Sequence, residues 1–281
     1  MGKKSRRKNR KKKIIGRVIV LMICVPLFCL SAYKVGSQLI VDHRENAAFN
    51  DLLEQVNQAR DANESGALTP QDVAPEAVPI EPGETPVPPI LPDYAALYAQ
   101  NSDLFGWIEI EDTVINYPVM HTPEDPEYYL HRAFDRTYSF SGVLFMDAKC
   151  ALDCGNYIVY GHNMKNGTMF ASITQYTDPE YWQEHPSIRF DTLYESGTYD
   201  IFAAFYSQAY PKDAEGVFRY YQYADLTEQE WFEEYVEQVK AAALYDTEIE
   251  PVFGDQLLTL STCEYHAENG RFVIVAKKRA D

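Results

Sequence analysis

Six short apolar runs after Asp93, separated by turn residues, limit what this chain can fold into. "GWIEIEDTVINYPV" alternates around Trp107, Ile108 and Ile110, while "GVLFMD", "NYIVY", "YDIFAAFY", "LLTLSTC" and "RFVIVA" have strand length and strand composition. One helix interrupts them. Thr227 with Glu230 three residues on reads as a capping box, followed by a buried stripe of Trp231, Phe232, Tyr235, Val236 and Val239. A second helix is predicted at "TDPEYW", with Asp178 as cap and Pro179 at the first position. Many strands with few helices predict a mainly β domain, a barrel or sandwich with helical insertions. A chain of 281 residues holds one such domain plus accessory segments, or at most two small domains.

The accessory segments lie at the N-terminus. The basic cluster "KKSRRKNRKKK" precedes an apolar stretch in which Val18 to Tyr33 carries no charge, and the whole stretch is long enough for a bilayer core needing about 20 residues. Basic residues ahead of an apolar segment hold the N-terminus in the cytoplasm. A cleaved signal peptide is the rival reading, but no clear A-x-A-type site follows Leu30. The expected order is a basic cytoplasmic tail (1–13), a transmembrane anchor (14–36), a stalk helix (37–62), a linker (63–92) and an extracellular domain (93–281). In the stalk, Ala47, Ala48, Leu52, Leu53 and Val56 recur at helical spacing, with no chemistry expected of them. The linker is rich in Pro and acidic residues and would reach about 90 Å in polyproline geometry.

Charge sorts the partners. Residues 1–44 hold twelve of the 25 Lys and Arg and one of the 42 Asp and Glu, leaving 13 basic against 41 acidic residues in the remainder. Such a surface excludes nucleic acid, whose phosphates need clustered cations.

Five cysteines must then be read for disulfides in an exported protein. Cys24 and Cys29 fall in the apolar stretch as lipid-facing side chains. Cys150 and Cys154 form either a local bridge or two thiols; a metal would need two more ligands, which no nearby spacing offers. No cofactor or metal is expected. Cys263 is left over, at the C-terminal end of the run "LLTLSTC", with Arg271 opening the next strand after the loop "EYHAENG". The two would face each other across the end of a hairpin.

A nucleophilic thiol needs a proton partner. With ordinary pKa values of about 8.5 and 6.5, independent Cys and His sites would coexist as thiolate and imidazolium in under about 1% of molecules at pH 7. Of the six histidines, His43 lies beside the apolar segment, His121, His131 and His185 sit in polar loops, and His266 is a loop neighbour of the thiol. His162 differs, because "NYIVYGHNM" puts it just past a strand end, where Gly161 permits a sharp turn. Cys263, His162 and Arg271 form a coherent set for acyl transfer: thiolate attack on a carbonyl, proton exchange by imidazole, and guanidinium stabilisation of the tetrahedral oxygen.

"TLSTC", Arg271 eight residues on, and "YGHNM" upstream together resemble the sortases, membrane-anchored cysteine transpeptidases of Gram-positive bacteria. The resemblance spans residues 93–281, including "NSDLFGWIEIEDTVINYPVM", "YYLHRAF" and "SGVLFMD", and is nearest to class B. It implies a closed eight-stranded β-barrel with His162, Cys263 and Arg271 as the catalytic set. It also implies cleavage of an N-P-x-T-x sorting signal after Thr, and transfer of the acyl group to an amine of a cell-wall peptide or its lipid-linked precursor. Surface proteins bearing that signal would be the partners, with Ser261, Glu264, Tyr160, Asn116 and Met120 lining the groove. A pilin-polymerising enzyme, a net hydrolase on the same site and a non-enzymatic surface binding module are the alternatives.

Overall fold

The computed structural model describes residues 2–65, 88–264 and 267–280, with backbone alone for 2–21, 23–25 and 38. Most of the predicted linker and His266 therefore lie outside the described residues, as does the Cys24 side chain. The chain divides into a unit of residues 1–50 and a second of residues 51–281. Helix α1 runs Gly2–Glu64 and takes in both the predicted anchor and the predicted stalk helix. Among the described residues no helix is long and apolar enough to cross a membrane, and residues 14–21 and 23–25 of the predicted span 14–36 are described by their backbone only.

In the second unit eight strands close into a barrel: β1 (Leu104–Glu109), β2 (Asn116–Met120), β3 (Leu144–Met146), β4 (Asn156–Gly161), β5 (Ser187–Thr192), β6 (Thr198–Gln208), β7 (Leu257–Cys263) and β8 (Gly270–Lys278). Their order around the barrel is β1-β2-β3-β4-β7-β8-β6-β5. Two pairs are parallel, β2 with β3 and β4 with β7. Closure gives each of these eight strands a neighbour on both sides, so none of them is an edge open to another chain. The barrel is filled by aromatic side chains, among them Tyr157, Phe190 and Tyr199.

Strand β5 is absent from the apolar runs of the sequence, because "SIRFDT" alternates only Ile188 and Phe190 inward among charged neighbours. One of those neighbours, Asp191, is itself fully buried. Its carboxylate accepts from Tyr94 Oη at 2.6 Å, lies 2.8 Å from the Arg189 guanidinium and 3.7 Å from that of Arg60. Tyr94 belongs to α2 (Pro92–Gln100) and Arg60 to the last turns of α1. Leu52 and Val56 of α1 are buried as well. From residue 51 onward the stalk helix is thus packed into the second unit, a structural part that its reading as a helix without chemistry did not include.

Helix α3 (Pro179–Glu184) starts as predicted, with the Asp178 side chain accepting from Glu180 N at 2.9 Å. Helix α4 (Gln229–Ala242) starts two residues later than the predicted capping box. Thr227 does not cap it, because its hydroxyl donates to Asp225 Oδ1 at 2.6 Å. Phe232, Tyr235, Val236 and Val239 are buried against β6, β7 and β8, but Trp231 is 52% exposed. At 100° per residue Trp231 sits at the margin of that stripe, where it meets the edge of Tyr223.

Candidate active site

Parallel pairing of β4 with β7 brings Gly161 opposite Thr262, so both strands end at one rim, β7 on Cys263 and β4 just before His162. Antiparallel pairing of β7 with β8 sets Cys263 directly opposite Arg271. Two bonds staple this rim: Thr262 Oγ1 donates to Gly161 O at 2.7 Å, and Asn163 Nδ2 donates to Cys263 O at 3.0 Å. His162, Cys263 and Arg271 consequently line one cavity of about 630 Å³. Strand pairing alone brings them together.

Gly161 acts differently from the sharp turn expected of it. It continues β4, and what requires glycine is space, since a Cβ there would lie 2.4 Å from Leu144 Cδ2 and 2.6 Å from the Phe170 ring. Close packing under the strand end, not backbone freedom, fixes where His162 emerges.

Each of the three groups is half-buried. The His162 ring places Nε2 2.9 Å from the Leu130 carbonyl oxygen. Burial pushes its pKa below the usual imidazole value, with the Leu130 carbonyl opposing the shift and His131 adding to it. The Arg271 guanidinium donates to the carbonyls of Asn269 and Gly270 at 3.2 and 3.0 Å, which holds it at the hairpin mouth. Among the described residues no cluster of His, Cys, Asp and Glu is placed to hold a metal ion.

Of the five residues expected along a substrate groove, Ser261 and Tyr160 line the cavity. Tyr160 donates to Asp147 Oδ2 at 2.9 Å, and Ser261 shares a 2.6 Å bond with the buried Tyr220 hydroxyl. The other three lie outside it. Met120 is fully buried between its β1 and β3 partners, Asn116 is committed to Trp107 Nε1 and Glu109, and Glu264 bonds through its backbone to Gly270 at the hairpin.

Leu130, Asp147 and Tyr220 also line the cavity, though no motif points to them. Asp147 closes the run "GVLFMD", where a carboxylate at a strand end was the available signal, whereas Tyr220 comes from the long β6–β7 insertion and carries no local signal. His131, expected to be solvated, is exposed, yet its ring stacks on that of His162 with centroids 5.4 Å apart. His185 bonds Glu111 O, and His121 packs edge-on against Phe105. Cys150 and Cys154 are free, buried thiols that both point at Asn156 O, at 3.5 and 3.2 Å, so the bridged alternative is not the one formed.

Two outcomes follow from these contacts. Ser261→Ala strands the Tyr220 hydroxyl in a buried site and should cost about 1–3 kcal/mol, while Ser261→Ala with Tyr220→Phe removes both partners and should recover most of it. Denaturation of the single and double variants measures this, and a double variant no more stable than Ser261→Ala would show that the bond is not what matters. The second concerns pH. Burial lowers the pKa of both His121 and His162, so the unfolded chain binds more protons below about pH 6.5. Their contribution is complete above that value and is lost as pH falls from it towards the lowered native values, so Tm should drop as pH falls below about 6.5. Replacing both by Gln should flatten that drop.

A thiol, an imidazole and a guanidinium converging on one rim of a closed β-barrel define a cysteine-dependent acyl-transfer enzyme. The sortase domain family matches residues 108–279. Sortase B of Listeria monocytogenes is 28% identical over 271 residues, covering 95% of this chain and 97% of its own length. A mutant form of Clostridium perfringens sortase B superposes with a TM-score of 0.60 at 32% identity, covering 67% of this chain and 87% of that one. The Staphylococcus aureus sortase B–substrate complex shares the fold, with a TM-score of 0.67 at 23% identity over 85% of this chain and 98% of that one. The chain belongs to the sortase family, with class B its place within it, and is a cysteine transpeptidase.

Proposed function

We propose that this sortase is held in the membrane by residues 14–36, with its catalytic unit outside the cell, and that it cleaves an N-P-x-T-x sorting signal after Thr and joins the new carboxyl end to a cell-wall amine. The observation that carries this reading is the convergence of His162, Cys263 and Arg271 on one cavity. The basic tail and uncharged apolar segment support the anchor. Support for the two substrates comes from relatives solved as a substrate complex and as a complex with triglycine.

In the first half-reaction the Cys263 sulfur bonds to the Thr carbonyl carbon while its proton passes to His162. The oxygen takes up negative charge beside Arg271, an interaction of a few kcal/mol. The C–N bond then breaks, His162 returns the proton to the leaving amine, and a thioester remains on Cys263. An acceptor amine attacks that carbonyl in the second half, its proton leaves through His162, and the thiolate departs to be reprotonated. Burial favours neutral His162 and so keeps it ready to accept the first proton.

Intact-mass spectrometry of the chain with an N-P-Q-T-N-type peptide, with and without amine, tests the proposal. An adduct on Cys263 that the amine converts to a new amide supports it. An adduct only with an L-P-x-T-G type would overturn the signal assignment, and none with either would overturn the transfer chemistry. Arg271→Lys keeps the charge but loses the planar fork, and kcat should fall about 10²-fold with the fold intact. Near-normal turnover would remove Arg271 from the mechanism.

A further inference from the structure

The short helical turn Tyr128–His131 touches the catalytic imidazole twice. Leu130 supplies the carbonyl oxygen 2.9 Å from His162 Nε2. A carbonyl only accepts, so Nε2 carries the hydrogen, and in the neutral ring Nδ1 holds the free lone pair. The next residue, His131, lays its ring on that of His162, the planes 22° from parallel and the centroids 5.4 Å apart. Tyr138 also stacks with His131, at 6.4 Å and 29°. Offset aromatic pairs at these separations attract one another and hold ring planes in register.

The turn that presents both groups is itself tied down. Val143 N donates to Tyr129 O at 3.2 Å, Ser139 N to His131 O at 3.1 Å, and the buried Tyr129 donates to Asp103 Oδ2 at 2.7 Å. A fixed turn with a carbonyl and a ring on the same imidazole restricts both its tautomer and its tilt.

We propose that His131 is a positioning residue for proton transfer: with the Leu130 carbonyl it holds His162 in one tautomer and one plane, leaving Nδ1 to take the proton of Cys263 and hand it to the leaving amine. This rests on the transpeptidase reading of the cavity. No bond beyond those of the two half-reactions is made or broken.

The contact also bears on charge. An imidazolium at His131 disfavours a second one at His162, an effect secondary to burial and opposed by the Leu130 carbonyl. The remaining charged and titratable groups around the cavity are Glu127 beside the turn, Asp147 and Lys149 after β3, Cys263 and Arg271 at the hairpin, and the phenols of Tyr160, Tyr220 and Tyr221. Of the groups on the turn, His131 is the one in ring contact with His162.

Two variants of the full chain separate position from charge. His131→Phe keeps a ring in the stack and removes the charge; His131→Ala removes both. Expected for His131→Ala is a loss in kcat of about tenfold with little change in KM, and ring-nitrogen NMR signals showing His162 exchanging between tautomers. Expected for His131→Phe is near-normal kcat with the pH limb of His162 moved upward, because a neighbouring positive charge has gone. The proposal is overturned if both variants keep the native kcat, the native tautomer signal and the native pH limb. Should His131→Ala fail to fold, His131→Leu, which fills the space without a ring, is read in its place, and a native kcat and native tautomer signal in it overturn the proposal. The pH dependence of Cys263 alkylation by iodoacetamide reads the same contact without peptide. A wild-type chain that ignores the sorting signal would therefore sink the substrate reading while the alkylation profile still judged His131.

Discussion

Cys263→Ala is expected to abolish the acyl-enzyme and to lower turnover by at least about 10⁴-fold while leaving the thermal transition close to native. The side chain stands at the last position of β7 and is only half-buried. The rim is stapled by Thr262 Oγ1 and Asn163 Nδ2, which bond backbone carbonyls that the substitution leaves in place. His162→Ala in the Cys263→Ala background should add almost nothing, because groups that act in one bond-making step are grossly non-additive. Mass spectrometry of the adduct and steady-state rates on the same peptide check both points. Substantial peptide transfer by Cys263→Ala would mean that another nucleophile does the work, and the cavity would have to be reassigned.

That His162, Cys263 and Arg271 would meet was legible because each sits at or just past a strand end, and strand ends can be read from apolar runs and turn residues alone. Once β4 and β7 are parallel neighbours, residues that merely terminate "NYIVYG" and "LLTLSTC" must meet. What the sequence did not show depends on partners far along the chain. His131 looks like an ordinary loop histidine until β3 and β4 bring its turn over His162. Tyr220 gains its place only when the β6–β7 insertion folds back onto β7, where its hydroxyl finds Ser261. Strand β5 escaped for the opposite reason, its local signal being weak: Arg189 and Asp191 interrupt its apolar positions, yet Asp191 is buried because guanidinium and phenol groups from α1, α2 and β5 itself compensate it.

That compensation makes the stalk helix a structural member. A chain beginning at Asp51 should be more stable than one beginning at Asp93 by about 4 kcal/mol or more, with both retaining the barrel. Leu52 and Val56 are buried, and each contributes about 1.5–3 kcal/mol on being removed from water. Arg60 adds ion-pair distances of 3.7 Å to Asp191, 3.4 Å to Glu109 and 3.7 Å to Asp93, and a 3.0 Å hydrogen bond to Tyr94. Asp191→Ala should cost more than Arg60→Ala. Without the carboxylate, two guanidiniums and a buried phenol lose their shared acceptor, and breaking a buried pair from one side costs about 3–5 kcal/mol. Without Arg60, the carboxylate keeps Arg189 at 2.8 Å and Tyr94 at 2.6 Å. The cluster is joined to the rest of the barrel through β1, whose Trp107 pairs with Asp191 and whose Gly106 packs so closely on β5 that a Cβ would lie 2.1 Å from the Asp191 carbonyl oxygen. Urea midpoints of the two truncations and the two point variants decide the matter. Equal midpoints for chains starting at 51 and 93 would return the stalk to a spacer, and a larger loss for Arg60→Ala than for Asp191→Ala would show that the guanidinium, not the carboxylate, organises the cluster.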